Sequence, residues 1–336
     1  VVADEVLPPL LGPEYGYRHK ARLGVRYVSK KEKVLVGFRE RNSSFITETS
    51  RCEVLHPSVG EIIEELADCI NQLQAKQQIP QIEVAVGDDQ TVVVFRHLEP
   101  LGQADRDKLA DFCRRHSLVC YLQAGKPDDL ELLSPEHAET LYYELDSLAS
   151  ASADRLKIEF QPSDFTQVNP EINRNMVLNA IEFLALEKTD KVLDLFSGLG
   201  NFSLAMARHC QQVTAVEGSL VMVKKARDNA VLNGIENTEF VYADLYSDEV
   251  ASAPWLKKKY DKILLDPPRS GAAEILPALK KMQAEKIVYV SCHPATLARD
   301  AATLVNQLGY RLSRAGIMNM FPHTGHVESI AVFEKR

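Results

Sequence analysis

The 336-residue chain has no apolar run approaching the roughly 18 residues of a membrane span. Its first residues, Val1 to Leu11, lack the basic start of a signal peptide. A cytoplasmic protein without a membrane partner is therefore expected. The cysteines, at 52, 69, 113, 120, 210 and 292, include no Cys-x-x-Cys pair. That spacing argues against both a zinc knuckle and a disulfide framework. A positive net charge is absent as well. The formal charge of −8 argues against indiscriminate nucleic-acid binding but leaves room for a local basic face. What is present is ordinary for a globular protein, 45% hydrophobic and 26% charged residues in a chain long enough for two domains.

Val1 to Pro13 is Pro-rich and unpatterned, and reads as a linker or a cut end. From Tyr17 the pattern changes to alternation. Tyr17, Ala21, Leu23, Val25 and Tyr27 share one side, and Arg18, Lys20, Arg22 and Arg26 the other, as in a strand with a basic face. Val34 to Phe38 returns as a second strand. Between Tyr15 and Arg41 stand nine Lys/Arg against two acids. Such alternation fits a solvated strand face, and equally a surface that tracks phosphates. A helix over Ser58–Lys76, a hairpin of Ile82–Val86 with Thr91–Arg96, a helix over Ala104–His116 and a strand over Leu118–Leu122 follow. The acidic, Ser/Ala-rich run Asp128–Asp154 reads as loops and short elements. Residues 1–160 thus form a smaller α/β or α+β domain, and residues 161–336 a second one.

The second half repeats a β–turn–α unit. Lys191–Phe196, Gln212–Glu217, Phe240–Asp244, Lys262–Asp266 and Ile287–Val290 read as successive strands, which implies a parallel, doubly wound sheet with its site along the carboxyl edge. Gly198-x-Gly200 after the first strand, with an acid about 20 residues on, is also what a dinucleotide site shows. The third glycine position is occupied by Ser203, however, and a further acid, Asp244, follows the third strand. Glu217 toward ribose hydroxyls and Asp244 toward an adenine amine suit S-adenosylmethionine, which has no pyrophosphate to cradle. Tyr310–Asn319 and Val327–Glu334 make a terminal hairpin that brings antiparallel strands to the sheet. His323 and His326 lie in its loop with no third metal ligand evident. Cys292 stands between a strand end and a helix whose first residue is Pro294. A helix dipole there favours a thiolate, so the residue is either a nucleophile or a small core side chain.

Five ordered motifs carry a resemblance. They are Phe165-Thr-Gln-Val-Asn, Asp194-Leu-Phe-Ser-Gly-Leu-Gly-Asn-Phe, Leu265-Asp-Pro-Pro-Arg-Ser-Gly, Ser291-Cys-His-Pro-Ala-Thr-Leu-Ala-Arg-Asp and Met320-Phe-Pro-His-Thr-Gly-His-Val-Glu. Together they resemble the RNA uracil-5 methyltransferases, and within them the large-subunit (23S) ribosomal RNA branch. The resemblance implies a Rossmann-like, S-adenosylmethionine-dependent methyltransferase domain acting on 23S ribosomal RNA, with a monomer the expected form. It implies Cys292 as nucleophile and Glu328 as base. Gln167, Phe196, Gly198, Asn201, Glu217, Asp244 and Asp266 are implied to bind S-adenosylmethionine; the basic strand face of Arg18, Lys20, Arg22 and Arg26 is expected to face RNA, with Phe165 offering to hold the flipped base. A tRNA substrate and an inert RNA-binding module remain the alternatives. The family usually has Asn where this chain has His293. The branch often holds a 4Fe-4S cluster on four cysteines, and Cys52 matches the fourth. The resemblance therefore implies a fragment of a longer protein, with the other three ligands upstream.

Overall fold

The computed structural model describes residues 1–126, 129–133, 140–146, 155–247, 250 and 252–336. The first strand, β1 (Glu5–Val6), belongs to the later of two large sheets. The earlier sheet contains β2 (Lys20–Val28), β3 (Lys33–Gly37), β4 (Gln81–Val86), β5 (Thr91–Arg96), β6 (Leu118–Gln123) and β7 (Leu130–Leu132), in the order β3-β2-β4-β5-β6-β7. Among the described strand pairs of this sheet only β5 and β6 pair in parallel. Strict alternation in β2 buries Ala21, Leu23 and Val25 while Arg22 and Arg26 stay exposed, as the sequence pattern requires.

Two amphipathic helices supply apolar side chains to that core. In α2 (Ile63–Asn71), Ile63, Leu66 and Ile70 are buried; in α3 (Gln103–Arg115), Leu109, Phe112 and Cys113 are. The helix expected over Ser58–Lys76 is instead split into α1 (Pro57–Gly60) and α2. Backbone groups between them are diverted to a neighbouring segment: Gly60 O accepts the Cys52 N–H at 2.8 Å, and the Glu64 N–H reaches Ser50 O at 3.1 Å. The ribbon of β8 (Leu141–Leu145) and β9 (Leu156–Phe160) comes next. Much of the run Asp128–Asp154, expected as loops, lies outside the described residues.

The remaining elements are α4 (Pro170–Leu184), β10 (Lys191–Leu195), α5 (Ser203–Ala207), β11 (Gln212–Glu217), α6 (Leu220–Leu232) and β12 (Thr238–Tyr242). After them come β13 (Lys262–Leu265), α7 (Leu276–Leu279), β14 (Lys286–Ser291), α8 (Pro294–Asn306), β15 (Tyr310–Met318) and β16 (Glu328–Lys335). The second sheet runs β1-β15-β16-β14-β13-β10-β11-β12. Strands β10 to β14 are mutually parallel, and β16 is antiparallel to both β14 and β15. Chain order reverses at β10, which has β11 on one side and β13 on the other. That is the switch point where such sheets bind ligands beyond their carboxyl ends. β13 and the apolar run of β14 are buried throughout, as expected of parallel strands covered on both faces. Among the described residues no helix is long and apolar enough to cross a membrane.

By contacts the chain falls into two units: Val1–Gly12, Glu144–Glu159 and Glu171–Arg336 form one, and Pro13–Tyr143 with Phe160–Pro170 the other. This departs from a single break at 160/161. The amino-terminal segment is also not a free linker, because Glu5 and Val6 pair in parallel with Arg314 and Ala315 and extend the second sheet by an edge strand.

Candidate active site

In the second sheet the chemistry-bearing residues collect at one edge because parallel strands all end there. Leaving β10, Phe196 takes φ +69° and Gly198 φ +54°. The second value is left-handed backbone that glycine adopts without steric cost. An added side-chain carbon at Gly198 would meet nothing within 4 Å. The Gly198 N–H donates to Glu217 Oε2 at 3.0 Å, and the Ser219 N–H donates to Glu217 Oε1 at 2.9 Å. The acid at the end of β11 is thus braced against the glycine turn. Beneath the turn, Asp194 is fully buried and accepts from the Ser203 hydroxyl at the start of α5. Burial pushes Asp194 up to about 8. Asn201 exchanges two amide hydrogen bonds with Asn173 of α4, at 3.0 and 2.9 Å. Asp244 lies two residues beyond β12, exposed, with Oδ1 accepting the Tyr246 N–H at 3.0 Å.

Two strands along this edge from the glycine turn, β16 starts where β14 finishes. Ser291 pairs with Ser329, so Cys292 and Glu328 follow as the next positions across the two strands. Glu328 is 3% exposed and is pushed up to about 8 by burial, with Asp266 adding and Arg269 subtracting. Burial pushes Asp266 up to about 7. The expectation that the helix dipole lowers the Cys292 thiol is corrected. Burial raises it, the Glu328 and Asp266 carboxyls raise it further, and only the Arg269 guanidinium and a backbone hydrogen bond oppose them. His293 caps α8: its Nδ1 accepts the Thr296 N–H at 3.3 Å. A side-chain acceptor at that position is also what Asn supplies.

The terminal loop reaches the same place. Arg269 Nη2 lies 3.2 Å from His326 Nδ1, and the His326 ring sits 5.5 Å from that of Phe321. Sequence reasoning missed Tyr246, whose hydroxyl lies 2.8 Å from Ser270 Oγ and donates to Gly271 O at 3.0 Å, while its ring stands 5.9 Å from Phe196. Its partners lie 24 and 25 residues along the chain, beyond the reach of any local pattern. Asn173 was missed too, although a polar residue on the buried face of α4 was a visible signal.

Gln167 and Phe165 belong to the other unit, where the His19 N–H donates to Val168 O at 2.8 Å. Phe165 is 75% exposed and Gln167 half-buried. The basic face of β2 is partly engaged within its own unit. Arg18 lies over the Phe38 ring at 5.2 Å, Arg22 pairs with Glu83 at 3.0 Å, and Lys20 donates to the Pro162 carbonyl. Burial lowers the Lys20 ammonium to about 8. Cys52 is half-buried against the core. A 4Fe-4S cluster takes four thiolates. Among the described residues no group of three or more His, Cys, Asp or Glu is placed to hold a metal ion, so the residues present do not by themselves fit a cluster.

The architecture is that of a Rossmann-like methyltransferase. A solved structure with the same fold is the Pyrococcus abyssi tRNA (uracil-54, C5)-methyltransferase in complex with S-adenosyl-L-homocysteine, with TM-score 0.71 and 23% identity over 98% of this chain and 78% of that one. The family model described as tRNA (Uracil-5-)-methyltransferase matches residues 143–336, and the chain belongs to that family of methyltransferases. Among its relatives, the 23S rRNA (uracil(1939)-C(5))-methyltransferase RlmD of Hahella chejuensis is 50% identical over 337 residues, covering 99% of this chain and 74% of the relative. The protein of the same name from Alcanivorax borkumensis is 49% identical over 333 residues, covering 99% and 73%. The family and branch that the motifs resemble are borne out.

Proposed function

We propose that this chain transfers a methyl group from S-adenosylmethionine to C5 of one uridine in 23S ribosomal RNA, the counterpart of the position in its relatives' names. The observation that carries this reading is the placement of Cys292 and Glu328 side by side at the carboxyl edge of the sheet. When bound, S-adenosylmethionine supplies an electrophilic methyl on a sulfonium. The open space over Gly198 and the braced Glu217 carboxylate fit such a ligand, with Phe196, Asn201, Asp244 and Asp266 as its further contacts. Uracil C5 is too weak a nucleophile to take the methyl unaided. The Cys292 thiol gives its proton to solvent and its sulfur adds at C6, which shifts the C5–C6 electron pair toward O4 as an enolate. C5 then takes the methyl, Glu328 in its ionised form removes the C5 proton, and the returning electrons restore C5–C6 and expel the thiolate. A duplex-held base has to leave its stack first, and Phe321 offers an aromatic face for it.

The substrate class is tested by mapping 5-methyluridine in ribosomal and transfer RNA from cells lacking the gene. The expected result is loss at one 23S uridine, with transfer RNA intact. Loss confined to transfer RNA would overturn it in favour of the other branch. A cytoplasmic site of action goes with this substrate.

RNA is proposed to lie along β2, where Arg26 is exposed and Arg22 is held only by a partly exposed ion pair. Replacing both by Gln is expected to weaken RNA binding and to reduce the slope of log K against log salt by up to about 0.7–0.9 per lost phosphate contact. S-adenosylhomocysteine affinity should not change. Titrations at several salt concentrations check this, and an unaltered slope would leave the two arginines as a solvated face.

A further inference from the structure

A group of residues next to the site has no part in the chemistry above, yet is built at considerable electrostatic cost. Asp300, in the second turn of α8, is fully buried. A buried carboxylate is tolerated only when its oxygens are taken up by donors. Here Oδ2 accepts the Ala272 N–H at 2.7 Å and the Tyr289 hydroxyl at 2.6 Å, while Oδ1 accepts Arg299 Nε at 2.8 Å. Arg299 also donates from Nη2 to Ser270 O at 2.8 Å. Ser270–Ala272 is the stretch that follows Asp266-Pro-Pro-Arg269, and the Gly271 N–H closes its turn on Pro268 O at 2.8 Å. Gly271 has φ +81°, and a side-chain carbon there would come within 2.4 Å of Arg299 Nη2 and 2.6 Å of Asp300 Oδ2. The clamp therefore closes directly on the backbone. From another side, the Tyr246 hydroxyl holds Gly271 O and Ser270 Oγ.

The anchors of this clamp are rigidly tied to the nucleophile. Tyr289 stands three residues before Cys292 on β14, and α8 starts two residues after it. The loop carrying Asp266 and Arg269 is thus gripped by the two elements that flank Cys292. We propose that Arg299 and Asp300, assisted by Tyr246, are positioning residues that hold the Asp266–Arg269 loop in register with Cys292 and Glu328. None of the three needs to touch the reacting uracil. The inference rests on the reading of the chain as a covalent uracil methyltransferase, and it adds residues that contribute only through geometry. A displacement of about 1 Å at a reacting centre can cost as much as 100-fold in rate.

The test separates geometry from folding by counting active sites. RNA transcribed from the 23S target region with 5-fluorouridine in place of uridine is expected to trap wild-type enzyme as a denaturant-stable adduct, because fluorine cannot leave as a proton does. Arg299 is half-exposed, so Arg299→Ala is not expected to unfold the chain. It should reach the full adduct amplitude with S-adenosylmethionine, at a rate constant lowered roughly 10- to 100-fold, and with unchanged S-adenosylhomocysteine affinity. Arg299→Lys, which keeps the charge but not the fork, should recover part of the rate. Tyr246→Phe, which deletes only the hydroxyl, should shift the rate in the same direction by less. Reduced amplitude at an unchanged rate constant would overturn the proposal and make the cluster purely structural, as would a wild-type rate in both Arg299→Ala and Tyr246→Phe. Failure of the wild-type enzyme itself to form an adduct would instead overturn the underlying covalent reading, and this inference with it.

Discussion

Cys292→Ala is expected to abolish methyl transfer, by roughly 10⁴–10⁶-fold if removal of a covalent nucleophile costs here what it costs in other enzymes. The protein should still fold and bind S-adenosylhomocysteine, because Cys292 is only half-buried and its strand β14 is separated by β13 from β10, which carries the glycine turn. The variant should form no adduct with 5-fluorouridine RNA. Its neighbours make a further point. Burial and two carboxyls raise the thiol, so the thiolate is scarce in the free enzyme and Arg269 is the cation that favours it. Adduct formation by the wild type should therefore speed up as the pH rises, since the thiol must lose its proton before it attacks. Rapid-quench measurement of the adduct across pH, with the alanine variant as control, checks both statements. Turnover by Cys292→Ala would remove Cys292 from the mechanism.

Glu328→Gln is expected to slow turnover by about 10²–10⁴-fold, the range for a lost general base, and to let methylated RNA accumulate covalently attached to the enzyme. Denaturing gels with methyl-labelled S-adenosylmethionine read this directly. An unchanged rate would direct attention to His326. The same substitution has a stability signature with the opposite sense. Glu328 is pushed from 4.5 up to about 8 in the folded chain. A carboxyl raised in this way contributes stability that is fully present below its unfolded pKa, and that contribution is lost as pH rises through the folded value. Gln carries no such dependence. The melting temperature of Glu328→Gln relative to wild type should therefore climb between about pH 4.5 and 8 and level off above. A difference that stays flat across this window would mean that Glu328 is not held protonated by its surroundings.

Much of this protein follows from its sequence alone. The alternation of Ala21, Leu23 and Val25 with basic residues, and the apolar runs before Phe196, Glu217, Asp266 and Cys292, specify strands because side-chain period and burial are local properties of the chain. The repeat of strand, turn and helix then implies that their carboxyl ends share one edge, and the motifs there were enough to indicate family and branch. What the tertiary structure alone decided depends on partners distant along the chain. The entry of β16 antiparallel to β14 is what puts Glu328 beside Cys292, 36 positions earlier in the chain. The protonation of that pair could not be read locally either. A helix start suggests a lowered thiol, but burial of the thiol and the nearby carboxyls of Glu328 and Asp266 reverse the sign, and desolvation is a property of the packed fold. The same holds for Val1–Gly12, where nothing in the composition marks an edge strand until β15 offers free backbone groups to pair with. Asp300 is the clearest instance. In sequence it is one acid on a helix, and only the convergence of Ala272, Tyr289 and Arg299 makes it a buried clamp.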